Sequence, residues 1–432
     1  MTADAIALIG FVALFALILL RVPVGMAMGL VGVTGYATIV GASPALKMVG
    51  LTSMRTVTDY TFGVIPMFML MGAIVSQSGM SAELFRAANA MIGHWRGGLG
   101  LATIAACAGF AAISGSSVAT AATFATVAYP EMRAHHYPKS FSTGVIAAGG
   151  TLGAIFPPST VLAVYGLITQ QDIGRLFIAG ILPGVLAVAM YMATISVIAY
   201  LRPDFLPAGE RASWRERRHA LSKVWASLLL FVFVIGGLYG GLFTPTEAGG
   251  VGACGAFLLA VARGKLGWNG LREALLRATR TASAVFTVLI GALLFGYFLT
   301  VTGVPQKVTT FLTSLGLGPT GVLLLIMLMY LVLGCLMDAM AMIILTVPIV
   351  FPAVTALGYD PIWFGIIIVM TVELGLIHPP VGMNVFVIKT AVEDVSFATI
   401  FRGVAPFIVT DLIRLGVLIA VPAIALWLPS LM

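Results

Sequence analysis

The chain has 432 residues, of which 60% are hydrophobic and 9% charged, with a mean hydropathy of +1.08. A water-soluble domain carries about 25% charged residues, so the composition excludes one and describes a polytopic membrane protein. The formal net charge of +7 comes from Lys and Arg gathered in loops, which membrane orientation explains without a nucleic-acid partner.

About 20 apolar residues span the hydrocarbon core. On that rule the first run, Ala5 to Leu20, is a membrane helix and not a cleaved leader, since more spans follow it. Spans are expected near 4–20, 22–42, 61–79, 143–170 and 176–200. A basic stretch, 202–223, then separates two halves. Spans resume near 224–243, 245–262, 281–301, 362–390 and 404–428, five per half. Two further apolar regions, 99–129 and 320–357, are too long for one helix and too short for two full crossings. They read as re-entrant helical hairpins, bending at Ser114-Gly115-Ser116-Ser117 and near Gly334 to Asp338; one span each is the alternative. Segments 44–58, 80–98 and 264–280 mix charge with apolar residues, as interfacial helices do. They are either arms in the membrane surface or ordinary polar loops. Cys107, Cys254 and Cys335 lie in apolar runs without metal-ligand spacing and are expected as small core residues.

Two spans carry a proline pair. Pro157-Pro158 stands in GTLGAIFPPSTVLAVYG, and Pro379-Pro380, 222 residues later, in ELGLIHPPVGMNVFVIK. Proline lacks an N–H and clashes with the preceding turn, so each pair unwinds its helix and frees backbone carbonyls. In lipid such groups are tolerated only where they face protein, ions or a water-filled cavity. Paired broken helices in corresponding halves therefore point to a midplane binding site. The same offset carries Pro23 onto Pro245, Pro130 onto Pro352 and Ser116 onto Asp338, which indicates duplication. With five crossings per half, the second copy enters with opposite polarity, the inverted-repeat plan of secondary transporters. The expected units are thus 1–201, the linker 202–223, and 224–432. With both termini outside, eighteen Lys and Arg fall in cytoplasmic loops and only Lys47, Arg55, Arg175 and Lys307 outside, with Arg414 inside the last span.

No Walker A, H-E-x-x-H or G-x-S-x-G motif is present, so the sequence offers no machinery for ATP hydrolysis or metalloprotease chemistry and reads as a non-enzyme. An ion gradient is left as the energy source. The first break offers Ser114, Ser116, Ser117, Thr151 and main-chain oxygens, hard donors suited to a hard cation such as Na+. Near the second break stand Asp338, Glu373 and His378, which also leave proton coupling open. Asp338 is the one charge in a long apolar stretch, where it costs roughly 2.5 to 3.5 kcal/mol. It either contacts ion or substrate, or caps the outgoing hairpin helix, and the two are compatible. Asp411 and Arg414, three residues apart, are expected to neutralise each other, and Glu247 to close a capping box. His378 is an ion-site neighbour or a donor to freed carbonyls. Hairpin tips bring positive helix N-termini toward the midplane, which favours an anionic, carboxylate substrate.

GFAAISGSSVAT (109–120), GTLGAIFPPS (150–159), FTPTEAGGVGA (243–253), LGCLMDAMAMIILTVPIVFP (333–352) and ELGLIHPPVGMNVFVIK (373–389), in that order, resemble the large membrane subunit of tripartite ATP-independent periplasmic (TRAP) transporters. The resemblance implies a sodium-coupled, elevator-type importer of organic acids in the bacterial inner membrane. It also implies two partners, a small four-helix membrane subunit on a separate chain and a periplasmic substrate-binding protein. One sodium site would use Ser114, Ser116, Gly153, Ile155 and Pro157, the other Gly334, Gly375, His378 and Met383. The substrate would meet Ser117, Asp338, Pro158, Pro380 and Asn384. Many relatives carry Thr where this chain has His378, so a backbone carbonyl is the simpler ligand there. A stand-alone sodium- or proton-coupled anion symporter of the same architecture is the alternative.

Overall fold

The computed structural model describes residues 2–335 and 337–432, and among these every regular element is helical. In chain order the first half holds α1 (Ala3–Leu19), α2 (Val24–Val40), α3 (Ala42–Thr58), α4 (Val64–Gln77), α5 (Met80–Ile92), α6 (Gly98–Ser114), α7 (Ser117–Ala134), α8 (Lys139–Ile155), α9 (Thr160–Thr169) and α10 (Ile173–Leu201). The second holds α11 (Trp214–Tyr239), α12 (Pro245–Ala262), α13 (Trp268–Thr302), α14 (Val304–Ser314), α15 (Gly318–Gly334), α16 (Ala339–Ala356), α17 (Pro361–Ile377), α18 (Met383–Ala391), α19 (Phe397–Ala420) and the short α20 (Ala423–Leu426). Among the described residues, eight of the helical stretches are long and apolar enough to cross a membrane. Their outward faces carry residues such as Val185, Val197, Phe233, Leu258 and Leu412, all exposed, as lipid-facing positions are.

Element bounds repeat at the 222-residue offset. The bounds of α7 and α8, moved by that distance, coincide with those of α16 and α17, and α2, α9 and α10 fall on α12, α18 and α19 to within a few residues. Local chemistry sets the ends. Thr244 and Glu247 form the expected capping box at the start of α12, with Pro245 in its first turn. Asp360 accepts from the Ile362 and Trp363 amides to start α17, and Asp172 does the same for α10.

The structure departs from the sequence reading in four places. Segment 264–280 is not a separate arm but runs into the following span as one 35-residue helix, α13. In the first half the equivalent stretch is broken at Asp59, whose carboxylate accepts from Thr61 N at 2.8 Å and ends α3. The corresponding Thr281 makes only an intrahelical bond to Arg277 O, so nothing stops the helix. Helix α14 was not foreseen, although Gly303 in the left-handed region (φ +69), Pro305, and the apolar positions Val304, Val308, Phe311 and Leu312 spell it out. Ser213 and Glu216 cap α11 ten residues before the expected span, so half of the basic linker is helical. Cys254 is exposed, while Cys107 and Cys335 are buried as expected.

Glycine governs the helix crossings. A Cβ on Gly25 or Gly32 of α2 would stand 2.6 Å from main-chain atoms of Val288 or Phe295, and one on Gly291 would stand 1.9 Å from Gly25 O. Small residues two turns apart thus let the α2 and α13 backbones touch, the usual solution where lipid removes any hydrophobic drive between helices.

Candidate functional site

Each broken helix meets a helix hairpin. In the first half α6 ends at Ser114, Gly115 turns the chain (φ +59), and Ser116 caps α7 by accepting from Ala119 N at 3.3 Å. The break between α8 and α9 packs on this turn: Thr160 donates to Gly115 O from its amide (3.2 Å) and its hydroxyl (3.0 Å). Gly153 abuts Ser116, since a Cβ there would stand 2.5 Å from the Ser116 carbonyl. Thr120 Oγ1 joins Ser114 Oγ (3.3 Å) and donates to Ser116 O (2.8 Å). Ser114, Ser116 and Gly153 are therefore brought together, with buried Ile155 and Pro157 on the same break. The peptides Pro157-Pro158 and Pro379-Pro380 are both cis.

The second pair, α15–α16 and α17–α18, is built alike but is more open. A Cβ on Gly334 would stand 2.9 Å from Gly375 Cα, which sets that crossing. The Gly375 carbonyl accepts from His378 N at 3.2 Å, and the His378 and Leu376 carbonyls converge within about 3.2 Å of where a Cβ on Gly382 would lie, beside Met383. The imidazole of His378 does not face away to a partner. Its Nδ1 lies 2.7 Å from Pro379 O, which only accepts, so this nitrogen carries the proton and satisfies a carbonyl freed by the break. Cys335 Sγ reaches the same oxygen at 3.2 Å. Pro379 and Pro380 are exposed, whereas Pro157 and Pro158 are buried.

A cavity of about 510 Å³ lies between the hairpin turns and the long helices α4 and α13. Ser114, Ser116, Ser117, Asp338, Glu373 and Arg277 are among its lining residues. Asp338 is exposed there and caps α16 by accepting from Ala341 N (3.1 Å) and Met340 N (3.3 Å), so its capping role is real while its carboxylate still meets the cavity. Asn384 stands behind the wall, wholly buried, donating to Ser117 Oγ at 2.9 Å. Pro158 and Pro380 do not line the cavity. Of the five expected substrate contacts, the cavity thus gathers Ser117 and Asp338 directly and Asn384 at one remove.

Sequence reasoning missed Thr160, and it named Ser117, Asn384 and Glu373 without foreseeing that they meet in one buried triad, where Ser117 Oγ donates to Glu373 Oε2 at 2.8 Å. The one signal was Glu373 itself, a carboxylate in an otherwise apolar helix. Asp411 and Arg414 neutralise each other as expected, 2.8 Å apart and buried, with Tyr191 OH donating to Asp411 at 2.8 Å. Among the described residues no group of three or more His, Cys, Asp and Glu side chains could hold a metal ion. The oxygen donors are carbonyls and hydroxyls at the first break and carbonyls at the second, where Cys335 Sγ and the His378 imidazole stand beside them, and oxygens of this kind fit a hard cation.

An all-helical, multi-pass chain in which two broken helices and two helix hairpins converge on one mainly apolar cavity set with a few polar side chains is a membrane transport protein by its architecture. Residues 11–424 match the family of the tripartite ATP-independent periplasmic transporter, DctM component. The chain is 37% identical over 92% of its length to the C4-dicarboxylate TRAP transporter large permease protein DctM of Pseudomonas aeruginosa, covering 93% of that protein. It is 34% identical to the protein of the same name from Rhodobacter capsulatus, over 99% of both chains. To the sialic acid TRAP transporter large permease protein SiaM of Vibrio cholerae it is 33% identical over 87% of both. The crystal structure of the Alcanivorax borkumensis YdaH transporter shares the fold, with a TM-score of 0.62 over 89% of each chain at 15% identity. The chain belongs to the large permease family of TRAP transporters.

Proposed function

We propose that this permease imports a carboxylate across the bacterial inner membrane, driven by the sodium gradient, with both termini on the periplasmic side. It takes the substrate from a periplasmic binding protein and works with a small four-helix membrane subunit. The tripartite character of the family supports two further components. The relatives' names, C4-dicarboxylate and sialic acid, support an organic acid as cargo.

One observation carries the reading. The first break and hairpin turn are held together by Thr160 on Gly115 O and by the approach of Gly153 to Ser116, which concentrates hydroxyl and carbonyl oxygens beside the cavity. In this reading Ser114, Ser116, Gly153, Ile155 and Pro157 hold one sodium ion, and Gly334, Gly375, His378 and Met383 a second, each through main-chain oxygens wherever the side chain has none to give. Ser117, Asp338 and Asn384 set the substrate wall. The duplicated element bounds support two inverted repeats, 1–201 and 224–432, whose hairpins and broken helices move together as an elevator against the α2–α4 and α11–α13 frame.

The test needs neither cargo nor partner. A ligand bound only by the folded state raises its stability. The melting temperature of the purified chain in detergent is expected to rise saturably with sodium, with choline or potassium holding ionic strength. Identical curves in sodium and potassium overturn the sodium reading.

A further inference from the structure

One guanidinium faces the cavity. Of the described residues that line it, Arg277 of α13 is the only Lys or Arg, set against the acidic Asp338 at the start of α16 and Glu373 on α17. Arg277, Thr281, Ala284 and Val288 follow at helical spacing, so one face of α13 forms this wall and Arg277 is its single charged member. Its neighbours Arg272 and Arg280 are exposed, as Arg277 is, but lie outside the lining. Among the described residues Arg277 forms no ion pair, and its carbonyl, not its guanidinium, takes the side-chain bond from Thr281 Oγ1 at 2.9 Å.

The duplication keeps this guanidinium. At the 222-residue offset Arg277 coincides with Arg55 of α3, which is also exposed, and no other Lys or Arg of the chain falls on a second Lys or Arg. In the inverted-repeat reading the two stand toward opposite faces of the membrane. Basic residues that only orient a chain gather on its cytoplasmic side, so that role explains one member of the pair and not both. A guanidinium presents a planar fork of donors that matches a carboxylate through two parallel hydrogen bonds. In a mainly apolar cavity whose other charged side chains are acidic, Arg277 is the group that favours an anion.

We propose that Arg277 is the anion-binding residue of the cavity, pairing a carboxylate of the cargo from the side opposite Asp338. The inference deepens the proposed function and rests on its carboxylate reading. It uses none of the sodium ligands. In the elevator reading α13 belongs to the frame, so the cargo lies between a moving wall that carries Ser117 and Asp338 and a cation that stays in place.

Thr281→Cys places a thiol about one turn from Arg277 on the same cavity face. In nanodiscs, with Cys254 and Cys335 replaced by Ser, its modification is timed with an anionic and a cationic methanethiosulfonate of similar size. Arg277→Gln is expected to lower the anionic-to-cationic rate ratio about fivefold at low ionic strength, and Arg277→Lys, which keeps the charge, to leave it near the parent value. Arg277 is exposed and forms no ion pair among the described residues, so both variants are expected to melt near their parent. Succinate is expected to slow the modification where uncharged succinamide does not, and Arg277→Gln to abolish that protection. A ratio that Arg277→Gln leaves unmoved, or equal protection by succinate with and without Arg277, overturns the proposal and leaves the carboxylate reading standing. A ratio that falls as expected, with succinate protecting no better than succinamide, overturns the carboxylate reading and with it the pairing.

Discussion

Gly115→Ala tests how firmly the first break depends on the hairpin turn. Gly115 lies in the left-handed region (φ +59), where an L-residue costs about 1 to 2 kcal/mol. An added Cβ would stand 1.9 Å from Pro158 O, against an ordinary contact of roughly 3.5 Å, so hairpin and break must separate by about 1.5 Å. That movement breaks the two bonds from Thr160 to Gly115 O, each worth about 1 kcal/mol net. The expected loss is about 3 to 4 kcal/mol, together with the sodium-dependent rise in melting temperature. Gly79→Ala is the control, because Gly79 has the same backbone region (φ +73) and nothing within 4 Å of an added Cβ, so it costs only about 1 to 2 kcal/mol. Denaturation of both variants in mixed micelles measures the difference. Equal losses would refute the claim that the Gly115–Pro158 contact holds the site.

Ser116→Ala removes a cap and a proposed sodium ligand and is expected to shift the sodium titration of melting to higher concentration; an unchanged midpoint excludes Ser116 from the site. Asp338→Ala is expected to abolish uptake by the reconstituted transporter while costing only about 1 kcal/mol for the lost cap, and full uptake would remove Asp338 from the substrate wall. Arg414→Met leaves Asp411 buried without its cation and is expected to cost about 3 to 5 kcal/mol in micelle denaturation; a loss near zero would show that Tyr191 alone suffices. Outside the membrane-spanning helices, the hydrogen bond from Lys139, followed by that from Tyr129, holds the Asp394 carboxyl below its ordinary value of 3.8. Its contribution is therefore present above that value and lost as pH falls through the lower folded value, so Asp394→Asn should destabilise at pH 7 and match wild type at the acid end. A melting difference independent of pH contradicts this.

Much of the architecture was legible because its signals are local. A proline pair breaks a helix wherever it stands, Gly115 and Ser116 specify a turn and a cap, and the offset of 222 residues is visible in the prolines alone. What escaped depends on contacts between distant segments. Nothing in the sequence says that Ser117 will face Glu373, 256 residues away, or Asn384, 267 residues away. Nor does a hydropathy profile reveal that α13 continues through the membrane surface, since only the absence of an Asp59-like stop decides it.

The two breaks also show how a duplicated plan yields unequal halves. At the fixed offset Ser159, whose hydroxyl caps α9 by accepting from Leu162 N at 3.1 Å, corresponds to Val381, which has no hydroxyl. Thr160, which ties the first break to its hairpin, corresponds to Gly382, and Gly115 corresponds to Met337. The second break thus lacks both the cap and the tie, and its proline pair is exposed where the first is buried. Its own polar groups fill part of the gap, with Asp338 capping α16 and the imidazole of His378 and Cys335 Sγ on Pro379 O. Glu373 likewise stands where the first half has Thr151, and Asp411 and Arg414 where it has Ala189 and Met192. The ionisable chemistry is concentrated in the second copy while the tightly bonded scaffold is concentrated in the first. A symmetric pair of half-sites has become one rigid oxygen-rich break beside one looser, titratable break, and the cavity lies between them.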